Sequence, residues 1–295
     1  MRRNAWQAAA AACCLLLNAQ TARAQLWTLS PAELAKANSG AGLERFPDGR
    51  PKVADAVLAR LRDMDIAIED MIGQIRAAGY TSQFEGERWK VLNPQKKLVG
   101  RAFTVQFMPS RPDLTAMLDG RARLRNQTAI DMLQAGDVAV VDLFGKHEGG
   151  TFVGDKLAYY VWKTTGTGMV IDGSMFYLRN IEKTGMPAFY RGTHPSSLTG
   201  ATLTGINIPI RIGGVTVMPG DVVFGDRDGI LFIPPGLAGK IVTDFEATQA
   251  RFEWIKKKFD EGKWKSSDIY GRPRDPALVK EMEEYIRNRQ QNRQP

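Results

Sequence analysis

One valine-rich apolar run, from Val138 to Leu143, limits most strongly what this chain can fold into. A run of this kind is typical of a strand buried on both faces, as in a parallel sheet flanked by helices. Strand and helix patterns alternate around it, which predicts an α/β fold. In order, the pattern predicts a strand at 98–107, a helix at 114–133, the strand at 138–143, a helix at 155–164, a strand at 169–171, a helix at 176–183 and a strand at 187–190.

Different patterns lie on either side of these units. Short apolar segments alternate with glycine turns from 206 to 234, which predicts a β-meander. Apolar residues at three- and four-residue spacing predict a helix at 53–77. After residue 24 we divide the chain into an extended N-terminal arm (25–52), a domain (53–236) and an extension of two helices (237–295) that are separated by a break at Gly271-Arg272-Pro273.

The first 24 residues have the pattern of an export signal. Arg2 and Arg3 precede an apolar stretch of residues 8–17, and Ala22-Arg23-Ala24 matches a small-x-small cleavage site. The alternative is an uncleaved anchor helix, but a membrane span needs roughly 20 apolar residues. We therefore expect cleavage after Ala24 and a periplasmic or secreted protein.

Cleavage would change the composition in two ways. Cys13 and Cys14 are the only cysteines, so the remaining chain would have no disulfide and no thiol nucleophile. The full chain carries 40 basic and 32 acidic residues, and loss of three arginines leaves 37 basic residues and a net charge of +5. No basic stripe with interleaved aromatics is present, so we expect no nucleic-acid partner. No later apolar run is long enough to span a membrane.

Two segments could hold a small anionic ligand. A glycine-rich loop that starts at Gly149 runs into the helix that begins near Asp155, and a helix start offers free N–H groups to an anion. A plain loop with a helix cap explains this pattern equally simply. Asp172 ends a buried strand, where α/β proteins place ligand groups, although it could instead cap the next helix.

Other signals are weaker. Asp226 and Asp228 could form a carboxylate cluster, but they lie in a tight turn of the kind that is usually solvated. His147 and His194 are the only histidines, and neither lies in a zinc-binding spacing. No Gly-x-Ser-x-Gly motif of a serine hydrolase is present.

Residues 154–234 also contain an ordered set of motifs. These are a Gly-Asp-Lys-Leu turn, an Asp-Gly pair, a Pro-Ala-Phe-Tyr strand, a Gly-Gly-Val-x-Val-x-Pro-Gly-Asp turn and an Asp-x-Asp-Gly-Ile turn, which begin at Gly154, Asp172, Pro187, Gly213 and Asp226. No single motif is specific, but their order and spacing resemble the RraA-like, 4-hydroxy-4-methyl-2-oxoglutarate aldolase family.

The resemblance implies an α/β/β/α sandwich of the swivelling-domain type, here with helical N- and C-terminal extensions. It implies a homotrimer or hexamer with a site at the subunit boundary that uses a divalent metal, magnesium or manganese. The family's chemistry is cleavage of 4-hydroxy-4-methyl-2-oxoglutarate or a related 2-oxo acid to pyruvate, with oxaloacetate decarboxylation alongside. A metal chelated by the keto acid stabilises the enolate that such cleavage leaves.

The resemblance also indicates candidate residues. They are Gly154, Asp155, Lys156, Leu157 and Phe176 for substrate binding, Asp155 and Arg179 for catalysis, and Asp172 and Tyr177 for the metal.

The sequence departs from the family pattern at its central pair. The family has Arg and Asp two residues after the Asp-Gly pair, whereas this chain has Phe176 and Tyr177 there. A neutral tyrosine, with a pKa near 10, is a poor magnesium ligand. Arg179 lies three residues after Phe176, so on a helix it could partly replace the lost guanidinium, whereas Asn180 is a poorer ligand than aspartate.

Three functions therefore stay open. The first is a lyase that forms pyruvate from a 2-oxo acid. The second is a non-catalytic carboxylate-binding or assembly protein on the same scaffold, and the third is another chemistry at this site. Export argues against the nuclease-regulator role of some family members, because that partner would be cytoplasmic.

Overall fold

The computed structural model describes residues 26–37, 40, 42–118 and 125–291. The predicted export segment and its cleavage site lie outside these residues. The strands are β1 (Phe84–Glu85), β2 (Lys90–Leu92), β3 (Leu98–Pro109), β4 (Asp137–Thr151), β5 (Met169–Met175), β6 (Ala188–Thr193), β7 (Ala201–Ile206), β8 (Ile210–Ile212), β9 (Val215–Val217), β10 (Val222–Asp226) and β11 (Gly229–Ile233). The helices are α1 (Pro31–Ala37), α2 (Asp55–Asp63), α3 (Ile68–Ala77), α4 (Pro112–Met117), α5 (Arg125–Ile130), α6 (Asp155–Thr165), α7 (Leu178–Glu182), α8 (Pro235–Asp260), α9 (Ser266–Ile269) and α10 (Pro276–Gln291).

Nine of these strands form one mixed sheet in the order β1-β11-β10-β3-β4-β5-β6-β2, with β7 paired to β3. Strands β3, β4, β5 and β6 are parallel to one another, and the remaining pairs are antiparallel. Strands β8 and β9 form a separate hairpin. The parallel centre is the part that the valine-rich run predicts, and the α/β class is confirmed.

The sheet curls so that two of its parts face each other. Val170 on β5 and Ile230 on β11 belong to one apolar core, although their strands are not neighbours. At Gly225 the two parts approach so closely that an added Cβ would lie 2.5 Å from a ring carbon of Phe189. Helices α5, α6 and α7 cover the outer face of the parallel strands, and α2, α3 and α8 cover that of β10 and β11. This gives the predicted α/β/β/α layers.

The N-terminal arm is fastened by a buried arginine. Arg50 is fully buried, and its two Nη atoms donate hydrogen bonds of 2.7 and 3.1 Å to the carboxylate of Asp137 at the start of β4. Its Nε donates to Asp48 at 2.8 Å. The arm is not wholly extended as predicted, because α1 lies within it.

The prediction of a single helix at 53–77 is wrong, because two helices lie there. The chain leaves the helix at Met64, which is extended with a ψ of 151°, and re-enters it at Ile68. The Nζ of Lys97, just before β3, donates hydrogen bonds to the carbonyls of Met64 and Ile66. These carbonyls are therefore bound by a residue far along the chain, which the local apolar spacing does not reveal.

Other elements differ mainly at their ends. The segment predicted as one helix at 114–133 contains the short helices α4 and α5, and residues 119–124 between them lie outside the described part of the chain. Strand β4 continues to Thr151, so the glycine-rich segment is still sheet where a loop is predicted. Strand β5 likewise continues past Asp172 to Met175.

As far as residue 291, where its described part ends, the C-terminal extension has three helices where two are predicted. They pack around Trp254, which is fully buried, in a small apolar cluster separate from the three cores of the domain. None of the helices in the described part of the chain has the length and apolar character that crossing a membrane requires.

Candidate functional site

The predicted anion-binding turn lies at the start of α6. Gly154 occupies the N-cap position, and Asp155 is the acidic residue of the first turn. One carboxylate oxygen of Asp155 accepts the Lys156 N–H at 3.0 Å, and the other accepts a hydrogen bond of 2.9 Å from the side-chain amide of Asn180. The carboxylate of Asp155 is thus held by donors on both oxygens.

Two aromatic rings stand next to this turn. An added Cβ on Gly154 would lie 3.1 Å from the Cζ of Phe176, and the rings of Phe176 and Tyr177 are 4.5 Å apart. Tyr177 has a φ of 59°, a left-handed conformation that non-glycine residues rarely adopt and that often marks functional sites. Its side chain is 59% exposed, so it is open to solvent or a partner.

The structure therefore brings together most of the predicted substrate-binding residues. Gly154, Asp155, Phe176 and Tyr177 lie around one end of α6, and α7 adds Asn180. Arg179 is exposed on α7, and Leu157 is half-buried against the helix-covered core. The Asp155–Asn180 hydrogen bond joins the two helices across the turn.

Asp172 lies elsewhere. Ile171 packs in the core under α6, and successive residues of a strand face opposite sides of the sheet. The Asp172 carboxylate accordingly meets the β8–β9 hairpin, where it accepts Arg191 Nε at 2.6 Å and the Gly213 N–H at 3.4 Å. It does not cap α7, whose N-cap position is held by Tyr177.

Asp172 and Arg191 lie in a cleft of about 850 Å³ between the sheet edge and the hairpin. The Arg191 guanidinium stacks 3.7 Å from the centre of the Trp89 ring, and its Nη2 lies 3.4 Å from Glu85. Glu85 also accepts the Trp89 indole N–H at 3.2 Å and the Gly214 N–H at 2.7 Å. The sequence analysis does not predict Arg191, Glu85 or Trp89 as site residues. The one available signal is that Arg191 directly follows the strand predicted at 187–190.

A second carboxylate lies beside this network. Asp142 and Asp172 are register partners on the parallel strands β4 and β5. Burial raises the pKa of Asp142, and the charge of Asp172 adds to this effect, while a hydrogen bond of 2.9 Å from the Phe144 N–H opposes it. Phe144 has a φ of 45°, so this edge of the sheet also carries a strained residue.

The weaker candidates have local partners. Asp226 accepts the Asp228 N–H at 2.9 Å within the β10–β11 turn. The His194 Nδ1 lies 2.7 Å from the Ser196 hydroxyl, in a turn that follows β6. His147 is exposed and lines the cleft, next to Gly192.

The residues present in one chain do not fit the family's divalent metal. In the described part of the chain, no three His, Cys, Asp or Glu side chains are grouped as metal ligands. The candidate carboxylates Asp155 and Asp172 lie on opposite faces of the sheet, and Asp172 is already paired with Arg191. The third candidate is Tyr177, a neutral phenol where the family has an aspartate.

Comparisons with known proteins agree with this architecture. The model of the Aldolase/RraA family, RraA-like, matches residues 51–232. The chain is 32% identical over 162 residues to a protein of Halalkalibacterium halodurans whose name proposes it as a 4-hydroxy-4-methyl-2-oxoglutarate aldolase, covering 55% of this chain and 71% of that one. It is 28% identical over 174 residues to protein DlpA of Legionella pneumophila, covering 59% of this chain but only 27% of that protein.

A solved structure of the RraA family has a similar fold. RraAS2 of Streptomyces coelicolor, described as an unusual member of the RNase ES inhibitor RraA protein family, superposes with a TM-score of 0.57 at 25% identity. The match covers 70% of this chain and 98% of RraAS2. The family model spans more than half of the chain, and the parallel strands and the site turn lie within it. The chain therefore belongs to the RraA-like family.

Proposed function

We propose that this protein binds a small carboxylate of the 2-oxo acid class at the start of α6, and that it does so without metal-dependent carbon–carbon bond cleavage. The observation that carries the proposal is the aromatic pair Phe176 and Tyr177 beside Gly154. These rings occupy the positions of the family's Arg-Asp pair, so the binding turn is kept while the charged pair is lost.

The turn supplies the recognition of the carboxylate. The first N–H groups of a helix have no acceptor in the helix backbone, and those other than the Lys156 N–H, which Asp155 accepts, attract an anion. Asn180 and the Lys156 N–H take up the two oxygens of Asp155, which reduces its repulsion of a bound anion. The Phe176 ring then offers an apolar surface to the short carbon chain of the ligand.

A second candidate function is that of a lyase with the family's reaction, which releases pyruvate from 4-hydroxy-4-methyl-2-oxoglutarate or oxaloacetate. The retained Asp155 and the name of the Halalkalibacterium halodurans relative favour it. In the family a bound divalent metal stabilises the pyruvate enolate. The donor set of this chain does not fit that metal, and this weighs against the lyase.

Calorimetric titration of the purified protein with pyruvate tests the proposal. We expect saturable binding that is unchanged by a chelator and weakened by the substitution Asp155→Ala. The Asp155 carboxylate accepts hydrogen bonds from the Lys156 N–H and from Asn180, and so it holds α7 against the turn. Unchanged pyruvate affinity in that variant would show that the site has been misplaced. Metal-dependent release of pyruvate from oxaloacetate, above the background of the metal alone, would instead support the lyase.

The proposal includes export and self-assembly. The basic and apolar segments that end at Ala24 support export to the periplasm or medium, and N-terminal sequencing of the secreted protein should begin at Gln25. The exposure of Tyr177 and Tyr159 beside the turn supports a subunit boundary there. Light scattering should give the mass of a homotrimer or hexamer, and a monomer would contradict this part of the proposal.

A further inference from the structure

The cleft under the β8–β9 hairpin is a second place where a ligand could bind. It lies on the opposite face of the sheet from α6, since Asp172 lines it while Ile171 packs under that helix. Its volume of about 850 Å³ is within the range of small-molecule sites.

The floor of the cleft is fixed in position. Arg191 is held by Asp172, by Glu85 and by stacking on Trp89. The side chains of Arg191, Asp172 and Glu85 are only 13%, 4% and 17% exposed. A guanidinium clamped in this way loses little freedom when a ligand arrives, which favours binding.

The floor still offers hydrogen-bond acceptors. Each carboxylate oxygen can accept about two hydrogen bonds. Oδ1 of Asp172 accepts one from Arg191, and Oδ2 accepts only a long one from Gly213. Lone pairs therefore remain on these oxygens, and hydroxyl groups are the donors that would use them without bringing an unpaired charge into the cleft.

The rim of the cleft offers positive charge. Arg88, Arg211 and the acidic Glu87 line it and are exposed, so the exposed arginines outnumber the exposed carboxylate. Among the arginines that line the cleft, Arg191 is the one that forms salt bridges with carboxylates of the described residues. Arg211 lies near enough to Asp142 to oppose the rise in the pKa of that buried carboxyl, but no salt bridge joins the two in the described part of the chain. Both guanidinium groups can therefore bind a ligand carboxylate, which an arginine can do through two parallel hydrogen bonds.

We infer that this cleft binds a polyhydroxylated carboxylate of the sugar-acid class. The ligand's carboxylate pairs with Arg211 at the rim, and its hydroxyl groups donate to Asp172 and Glu85 at the floor. Phe84 is 37% exposed and lines the same cleft, so it offers an apolar surface to the carbon–hydrogen face of the sugar ring. A ligand with only carboxylates or only hydroxyls would satisfy half of these groups.

Calorimetric titration of the full chain with galacturonate tests this inference. Galactose has the hydroxyls without the charge, and succinate has the charge without the hydroxyls, so both should bind at least about tenfold more weakly. Saturating pyruvate should leave galacturonate binding unchanged, because the two sites are separate. Loss of pyruvate binding alone would thus bear on the proposed function and not on the cleft.

Substitutions locate the site. Arg211→Ala should weaken galacturonate binding about tenfold or more, and Arg211→Lys should weaken it less, because lysine keeps the charge but not the fork of donors. Arg76→Ala, which removes an exposed arginine on α3, is the matched control and should have no effect. Galactose binding as tightly as galacturonate, no galacturonate binding at about 10 mM, or full affinity in a folded Arg211→Ala protein would each overturn the inference.

Discussion

Asp221, in the turn before β10, makes the stability of this protein depend on pH. Its carboxyl is only 3% exposed, and its Oδ2 accepts one hydrogen bond of 2.8 Å, from the Met218 N–H. In the described part of the chain no cation forms a salt bridge with it. Burial raises the pKa of this carboxyl from its usual 3.8 to about 7, against the smaller opposing effect of that hydrogen bond.

The sign and size of the effect follow from linkage. Between these two pKa values the folded protein keeps a proton that the unfolded chain has released, so the free energy of unfolding falls as pH rises. The stabilisation is complete below the unfolded pKa and is lost as pH passes through the folded one. Each pH unit between the two values is worth ~1.4 kcal/mol, so this carboxyl should contribute a fall of about 4 kcal/mol.

Urea unfolding followed by circular dichroism, repeated between about pH 3 and 8, measures this fall. Asp221→Asn keeps an oxygen that can accept the Met218 N–H but cannot titrate, so its stability should depend less on pH by the amount given above. The exposed substitution Asp131→Asn is the control. Parallel curves for the wild type and Asp221→Asn would contradict this prediction, because they would show that Asp221 is hydrated or titrates normally.

Three further outcomes are expected. Asp137→Ala leaves the buried Arg50 without its main partner and should lower the free energy of unfolding by about 3–5 kcal/mol, measured in urea. Trp254→Ala should cost the C-terminal helices about 3–5 kcal/mol, and because their cluster is separate, amide exchange should accelerate there and not in the sheet. Addition of a chelator should leave the melting temperature unchanged, since the donor set of the chain does not fit a structural metal, and a clear drop would contradict that assignment.

Local patterns in the sequence were enough to predict the central units of the fold. The helix predicted at 155–164 is observed as Asp155–Thr165, and the strand predicted at 98–107 as Leu98–Pro109. These elements bury one face or both, and the spacing of apolar residues close together in the sequence shows which face is buried. The family motif at Gly154 likewise placed the turn that Phe176 and Tyr177 contact.

Contacts between distant residues account for what was missed. The break between α2 and α3 is bound by Lys97, more than 30 residues away. Glu85 and Arg191 meet across 106 positions of sequence, and neither stands in a recognisable motif. Asp172 is predicted as a ligand group because it follows an apolar run that indicates the end of a strand. The strand in fact continues to Met175, and the direction of the Asp172 side chain, away from α6, depends on the register of the sheet.

Restoring the family's Arg-Asp pair tests whether Phe176 and Tyr177 have removed the chemistry of the family. Pyruvate release from oxaloacetate and from 4-hydroxy-4-methyl-2-oxoglutarate would be measured with magnesium or manganese, for the wild type and for the double substitution Phe176→Arg with Tyr177→Asp. We expect no release above the metal-only background from the wild type, and metal-dependent release from the double variant. Equal, metal-dependent release by the wild type would contradict this expectation, because the aromatic pair would then not have removed the chemistry of the family.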